Sequence, residues 1–425
     1  MIRLLHTSDW HLGVSMETAS CEEEQSLFLD WLGRTLWERR IDVLVVAGDV
    51  FHRRNPPNSA RQMYFRFLRS CRDIETLQAV VIVGGNHDSP SGLEAPAAVL
   101  ETMKVHVVGT LDAREESLEE FLVPIEGPAG VELVVAAVPY MPDARLGLSA
   151  IGLGLDEARQ SFAEGFAALY SRLADAAEEL SSGAARVATG HLTAAAQEPF
   201  RAGDYHTPLH SVGGVDTLPS SVFDRRWDYV ALGHIHRAMA VDGERVWYAG
   251  TPVATARTES GPRQVLEVCF EGGERVAHAA LEVPRFRPLH VIRGDRATVL
   301  EELRYLPATG TLQPYVFLDF EELHDPSAKS PEQELRALLD EWEGPPPRVV
   351  RTRVIRPDTD EPESLLETAP HLEDLHPEEV FSMLYRRDHG MEPPPEILQA
   401  LRQLLPEADE IDEPTTAPAP LPEEA

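Results

Sequence analysis

Residues 42–52 read DVLVVAGDVFH: five apolar residues in a row, a glycine, then an aspartate and, three further on, a histidine. A short run rich in β-branched side chains and closed by a turn residue predicts a strand buried on both faces. The glycine lets the backbone turn sharply and approach a ligand closely. Asp49 and His52 therefore stand just past a strand end, where open α/β sheets bind ligands.

The same grammar recurs in four more segments: HTSDWHLG (6–13), AVVIVGGNHD (79–88), RVATGH (186–191) and DYVALGHIH (228–236). They contribute Asp9 and His11, then Asn86, His87 and Asp88, then His191, then His234 and His236. Asp9 and His11 are two apart, as are His234 and His236, so extended backbone would aim each pair at one site and turn Trp10 and Ile235 away. Asp9, Asp49 and Asn86 supply oxygen donors, and His11, His191, His234 and His236 supply imidazoles. A mixed N/O set suits Mn, Fe or Zn better than Mg or Ca. Seven ligands exceed one tetrahedral ion and fit two ions bridged by a carboxylate, for which Asp49 is the natural choice. Such a pair can hold a hydroxide and clamp the oxygens of an in-line phosphoryl displacement. Any one segment alone reads as a turn, a helix cap or a satisfied core histidine; five in one chain point to a binuclear metal site.

Between these segments lie amphipathic stretches. Helices are expected at 22–40, 59–72, 92–103 and 156–181, and further strands at 131–140, 245–250 and 264–270, giving an α/β architecture. The pattern changes near 283. From there to about 357 the sequence predicts a small α+β unit with strands LHVI, YVFLDF and RVVRTRVI and helices at 299–304 and 331–342. A linker (358–374), a pair of short amphipathic helices (375–405) and a Pro/Glu/Ala-rich tail (406–425) follow, the tail having seven acids and no base.

The chain has 425 residues and a formal charge of −33, which disfavours nucleic acid on average. That average hides an uneven distribution: residues 1–110 hold 11 basic and 14 acidic residues. From Arg53 to Arg72 there are six arginines and no acid, beginning at the rim of the predicted site. Arg53, Arg54 and Arg61, with Arg66, Arg69 and Arg72 behind them, are candidates for phosphate contacts; Arg225, Arg226 and Arg257 are weaker ones. Three scattered cysteines and no signal-like or membrane-length apolar run fit a reduced, cytoplasmic setting.

The set D-x-H, GD, GNHD, GH and GH-x-H resembles the calcineurin-like metallophosphoesterase superfamily. Within it, HTSDWHLG, GDVFHRRNPPNSAR, GGNHDSP and ALGHIHR…YAGTPVATAR are similar to the SbcD family of nuclease subunits. The resemblance implies a four-layer αββα core of two packed mixed sheets (1–283), a capping domain (284–357) and a helix pair that docks on the coiled-coil root of an SbcC-type ATPase. It implies two Mn²⁺ ions, one held by Asp9, His11, Asp49 and His236 and the other by Asp49, Asn86, His191 and His234. His87 would stabilise the transition state or protonate the leaving oxygen, Asp88 would orient His87, and His52 would help place the phosphodiester. The implied activity, with the ATPase, is an ATP-dependent 3′–5′ double-strand exonuclease and a single-strand and hairpin endonuclease in DNA repair. The apolar face of 59–72 (Met63, Phe67, with Tyr64 and Leu68) would pack in a homodimer within a heterotetramer. The alternatives are a phosphoesterase of the same superfamily acting on small molecules or phosphoproteins, and a non-catalytic scaffold, which the complete ligand set argues against.

Overall fold

The computed structural model describes residues 1–114, 117–128, 130–142, 145–146, 155–196, 217–306, 310–321, 330–342 and 345–355. The chain divides into two units, Met1–Arg356 and Pro357–Ala425. The expected linker, helix pair and acidic tail all fall in the second, outside the described residues.

Two six-stranded sheets form the centre. From edge to edge the first runs Glu274–Val283, Arg263–Glu271, Ile2–Thr7, Val43–Ala47, Ala79–Val83 and Val105–Val108. Its last four strands are parallel and the first two antiparallel. The second runs Met239–Asp242, Val246–Tyr248, Tyr229–Gly233, Ala185–His191, Gly130–Ala136 and Leu122–Gly127, parallel in its middle and antiparallel at both edges. The expected strand at 42–49 is there, and Val43–Ala47 is buried throughout. Its side chains are apolar on both faces because both faces are covered. Val43 and Val45 face the second sheet, packing with Leu133, Val135, Val187 and Ala231. Leu44 and Val46 face the helices Glu22–Glu38 and Asn58–Cys71 through Phe28, Leu32, Phe67 and Leu68.

On the far side, the helix Leu155–Leu180 buries Phe162, Phe166, Tyr170 and Leu173 against the second sheet. The order helix, sheet, sheet, helix is the expected four-layer α/β core. The single helix expected over 92–103 is instead two short ones, Pro90–Glu94 and Ala97–Glu101. Pro96 lies between them: it lacks the N–H that a continuous helix would use.

The third sheet, Leu289–Gly294, Tyr315–Glu321 and Arg348–Ile355, is wholly parallel. The helices Arg296–Arg304 and Pro331–Asp340 make its crossovers and close a small core of Ile292, Val299, Leu303, Val316 and Leu318. This unit sits on the hairpin Ser15–Ser20 through Tyr315 and Phe317, which pack on Val14, Met16, Ala19 and Cys21. Arg287 fastens the junction. Its guanidinium reaches Glu23 and Glu24 (Nε to Oε2 3.0 Å) and lies 4.2 Å over the Tyr315 ring.

Candidate metal centre

The site forms at the carboxyl ends of three parallel strands of the first sheet and two of the second. Backbone hydrogen bonds run from Asp9 N to Gly48 O (3.0 Å) and from His11 N to Asp49 O (2.9 Å). They lock the first two of these loops together. Asp9 and His11 do share a site, yet not through extended backbone: β structure ends at Thr7, and Asp9 (φ 52°), His11 (φ 44°), Asp49 (φ 50°) and His234 (φ 94°) are all left-handed. Such conformations cost non-glycine residues energy and gather at functional sites. Trp10 turns away as expected, buried between Phe28 and Phe67 with its indole N–H on Thr7 Oγ1.

All seven expected donors converge. His11 Nε2 and His236 Nε2 are 3.0 Å apart. Asp49 Oδ2 lies 3.5 Å from His11 Nε2 and 3.3 Å from His191 Nε2, midway between the two groups. Asn86 Oδ1 is 3.0 Å from His191 Nε2 and 3.1 Å from His234 Nδ1. The Asp9 carboxylate accepts the His234 backbone N–H and the Ser8 hydroxyl. Asp9, His11 and His236 form one buried cluster within 4.8 Å, and Asp9, Asp49 and His191 another.

The chemistry of these contacts fits cations. His191 Nδ1 donates to Ala47 O (2.9 Å), which leaves Nε2 with a lone pair facing two oxygen acceptors. His236 Nδ1 faces Glu259 Oε1 (2.6 Å), so its Nε2 lone pair likewise points inward at His11. Facing lone pairs in a buried space need a positive charge between them. With protons alone available, burial opposes a charge on His191 but Asp49 and Asp9 hold its pKa up at about 9. Burial pushes Asp9 up to about 6, and it drives His234, with the His191 charge beside it, down to about 3.

His87 and His52 stand at the rim, half-buried, their rings stacked 5.7 Å apart beside His11. The carboxylate expected to orient His87 does something else. Asp88 accepts three backbone N–H groups, from Phe51 (2.9 Å), Val50 (3.1 Å) and Gly85 (2.9 Å), and so ties the Asp49 loop to the Asn86 loop. It is the carbonyl of His52 that meets His87 Nδ1, at 2.9 Å. Glu259, absent from the expected set, is the other finding; no local pattern marks it.

Arg53, Arg54, Arg61, Arg66, Arg69 and Arg72 are all exposed. Arg226 is tied to Asp224 and Asp175, and Arg257 to Asp319. Tyr64, Phe67 and Leu68, expected on an intermolecular face, are buried in the chain's own core and Met63 is half-buried; Phe65 is the exposed aromatic of that helix. No helix among the described residues is long and apolar enough to cross a membrane.

Fold and cradle define a class of enzyme, the calcineurin-like phosphoesterases, and that family matches residues 2–238. A second family, described as the type 5 capsule protein repressor C-terminal domain (SbcD_C), matches residues 285–389. The SbcD subunit of nuclease SbcCD from Escherichia coli K12 is 31% identical over 388 residues, spanning 90% of this chain and 92% of the relative. Its counterpart of the same name in Rhodobacter capsulatus is 32% identical, spanning 85% and 89%, and that in Bacillus subtilis 29%, spanning 75% of each. The chain belongs to the SbcD family of calcineurin-like phosphoesterases.

Proposed function

We infer that the chain is the metal-dependent nuclease subunit of an SbcCD-type complex, a phosphodiesterase acting on DNA ends. The carrying observation is the convergence of seven buried or part-buried N and O donors at five strand ends in a chain of this family. A small-molecule or phosphoprotein substrate is not favoured, since the relatives that span the chain, cap included, are nuclease subunits.

Asp9, His11, Asp49 and His236 would hold one cation, and Asp49, Asn86, His191 and His234 the second, with Mn²⁺ the preferred ion. The cations would supply Lewis acidity toward the phosphoryl oxygens and an acidified water as nucleophile. The protein's own groups do the rest. His87 donates Nδ1–H to the His52 carbonyl, which aims Nε2 at the site; as the imidazolium, protonated on both ring nitrogens, it would give the Nε2 proton to the departing oxygen. Asp88 holds the Asp49 and Asn86 loops at one spacing. His52 would place the phosphodiester, and Arg53, Arg54 and Arg61, exposed in the stretch that follows it, would take flanking phosphates.

This reading extends to the assembly. Residues 1–283 form the nuclease domain, 284–357 the cap and 375–405 the dock for an SbcC-type ATPase with a coiled coil. Two copies pair through exposed Phe65 and its neighbours in a cytoplasmic heterotetramer. With ATP the complex digests double strands 3′–5′ and opens hairpins and single strands. The test is the full chain, with and without its ATPase, on a DNA hairpin and a blunt duplex. Cleavage that needs Mn²⁺ and disappears in Asp49→Ala and His87→Ala supports the reading. Cleavage undiminished in Asp49→Ala, or activity on phosphopeptides with none on DNA, refutes it.

A further inference from the structure

Glu259 lies 23 residues beyond His236 in the sequence, yet its carboxylate faces the outer nitrogen of that imidazole, with Thr255 Oγ1 farther off at 3.3 Å from the same atom. The contact, Oε1 to Nδ1, is 2.6 Å, and Glu259 is only 5% exposed. Its second oxygen is fixed in turn: Thr255 N–H donates to Oε2 at 2.8 Å, and Thr255 Oγ1 lies 3.2 Å from the same atom. The backbone of the loop is braced as well. Glu259 N–H donates to Ala256 O, and Arg263 Nη2 donates to Glu259 O at 2.5 Å.

That loop also grips His236 by its main chain. The His236 carbonyl accepts from Thr251 N–H at 3.1 Å and from Arg263 Nη1 at 3.0 Å. Gly250, with φ +75°, lies so close that a Cβ there would meet His236 O at 2.8 Å and Ala238 N at 2.7 Å. Ring and backbone of one residue are thus clamped by a single segment, 250–263. For His191 the corresponding contact is a neutral carbonyl, Ala47 O. A carboxylate behind an imidazole does more than aim it: it fixes the Nε2 lone pair toward the site and makes that nitrogen a stronger donor.

We propose that Glu259 is a positioning residue for the metal centre: it orients His236 and strengthens it as a ligand, and so sets the affinity of the cation shared with Asp9, His11 and Asp49. The inference rests on the reading that the cradle holds two cations. Its consequence is asymmetric. Glu259 touches the His236 side of the cradle, whereas Asn86, His191 and His234 are held by other loops. Losing Glu259 weakens one cation and leaves the other.

The experiment is Mn²⁺ titration of the metal-free full chain, following the EPR signal of free Mn²⁺, with melting curves of the metal-free proteins alongside. Wild type takes up two Mn²⁺ per chain. Glu259→Ala keeps one site at wild-type affinity and weakens the other by about 10- to 100-fold, the usual cost of removing such a partner. Glu259→Gln, whose amide oxygen still accepts from Nδ1, falls between the two. Equal binding curves for wild type and Glu259→Ala overturn the proposal. So does equal weakening of both sites together with a lower metal-free melting temperature, which reduces Glu259 to a scaffold residue. Wild type that binds no Mn²⁺ overturns instead the underlying reading of the cradle.

Discussion

Gly85 offers the sharpest perturbation of the site because one methyl group there acts on one ligand. A Cβ on Gly85 would lie 2.1 Å from Asp49 Oδ1 and 2.3 Å from Asp49 N, where ordinary contacts begin at 3.4 Å. The shortfall to the carboxylate is 1.3 Å. Rotating the carboxylate cannot relieve it, since the backbone nitrogen is nearly as close. The Asp49 and Gly85 loops must part, and they are the two that Asp88 ties together. Gly85→Ala therefore moves the ligand proposed to serve both cations by about 1 Å, a displacement that costs about 100-fold in rate at a preorganised centre. Overpacking of this kind costs about 1–3 kcal/mol in stability. The assay is Mn²⁺-dependent hydrolysis of a DNA hairpin and of a chromogenic phosphodiester, with melting curves as control. A folded Gly85→Ala protein within about twofold of wild type on both substrates would refute the idea that the spacing of these loops sets the chemistry.

Two further outcomes follow from buried groups away from the cradle. His6 is fully buried, donating Nε2–H to Leu232 O and meeting Tyr229 OH at Nδ1, and burial lowers its pKa from 6.5 to about 3. The unfolded chain then binds the extra proton, so the contribution is complete above pH 6.5 and is lost as the pH falls toward 3. Denaturant titrations should show about 2 kcal/mol of this loss by about pH 5, and His6→Gln should remove that part of the slope. Arg287→Ala leaves Glu24, whose side chain is 4% exposed, without its cation and strips the Tyr315 ring. Breaking such a pair costs about 3–5 kcal/mol, and limited trypsin digestion should gain a cut after exposed Arg285, at the junction with the third sheet; unchanged digestion would show that Arg287 does not fasten it.

Much of the core is legible in the sequence because its strands are buried on both faces. Val43–Ala47 and Ala79–Val83 are uninterrupted apolar runs, and nothing but a central strand suits them. Glu274–Val283 is not legible: it is an edge strand with most side chains at least part-exposed, and its Glu, His and Ala give no strong period. Spacing picks out the seven donors that converge, but strand alternation is the wrong physical reason for the Asp9–His11 pair. The two share a site through two left-handed residues past the strand end, a conformation fixed by the neighbouring Gly48–Val50 loop rather than by local propensity. Adjacency in sequence makes Asp88 look like the partner of His87, whereas two of the backbone N–H groups it satisfies belong to a loop nearly 40 residues earlier, Val50 lying 38 residues before it. Glu259 lies two residues beyond the YAGTPVATAR motif. Its partner is decided by a loop folding back over His236, which a linear pattern does not encode.

The claim on which all of this turns is that one cradle holds two cations, with Asp49 between them. Anomalous diffraction at the manganese edge from crystals of the full chain grown with Mn²⁺ tests it directly. Two peaks are expected, one beside Asp9, His11 and His236 and one beside Asn86, His191 and His234, with density from Asp49 reaching both. A single peak, or none within reach of Asp49, would contradict the account.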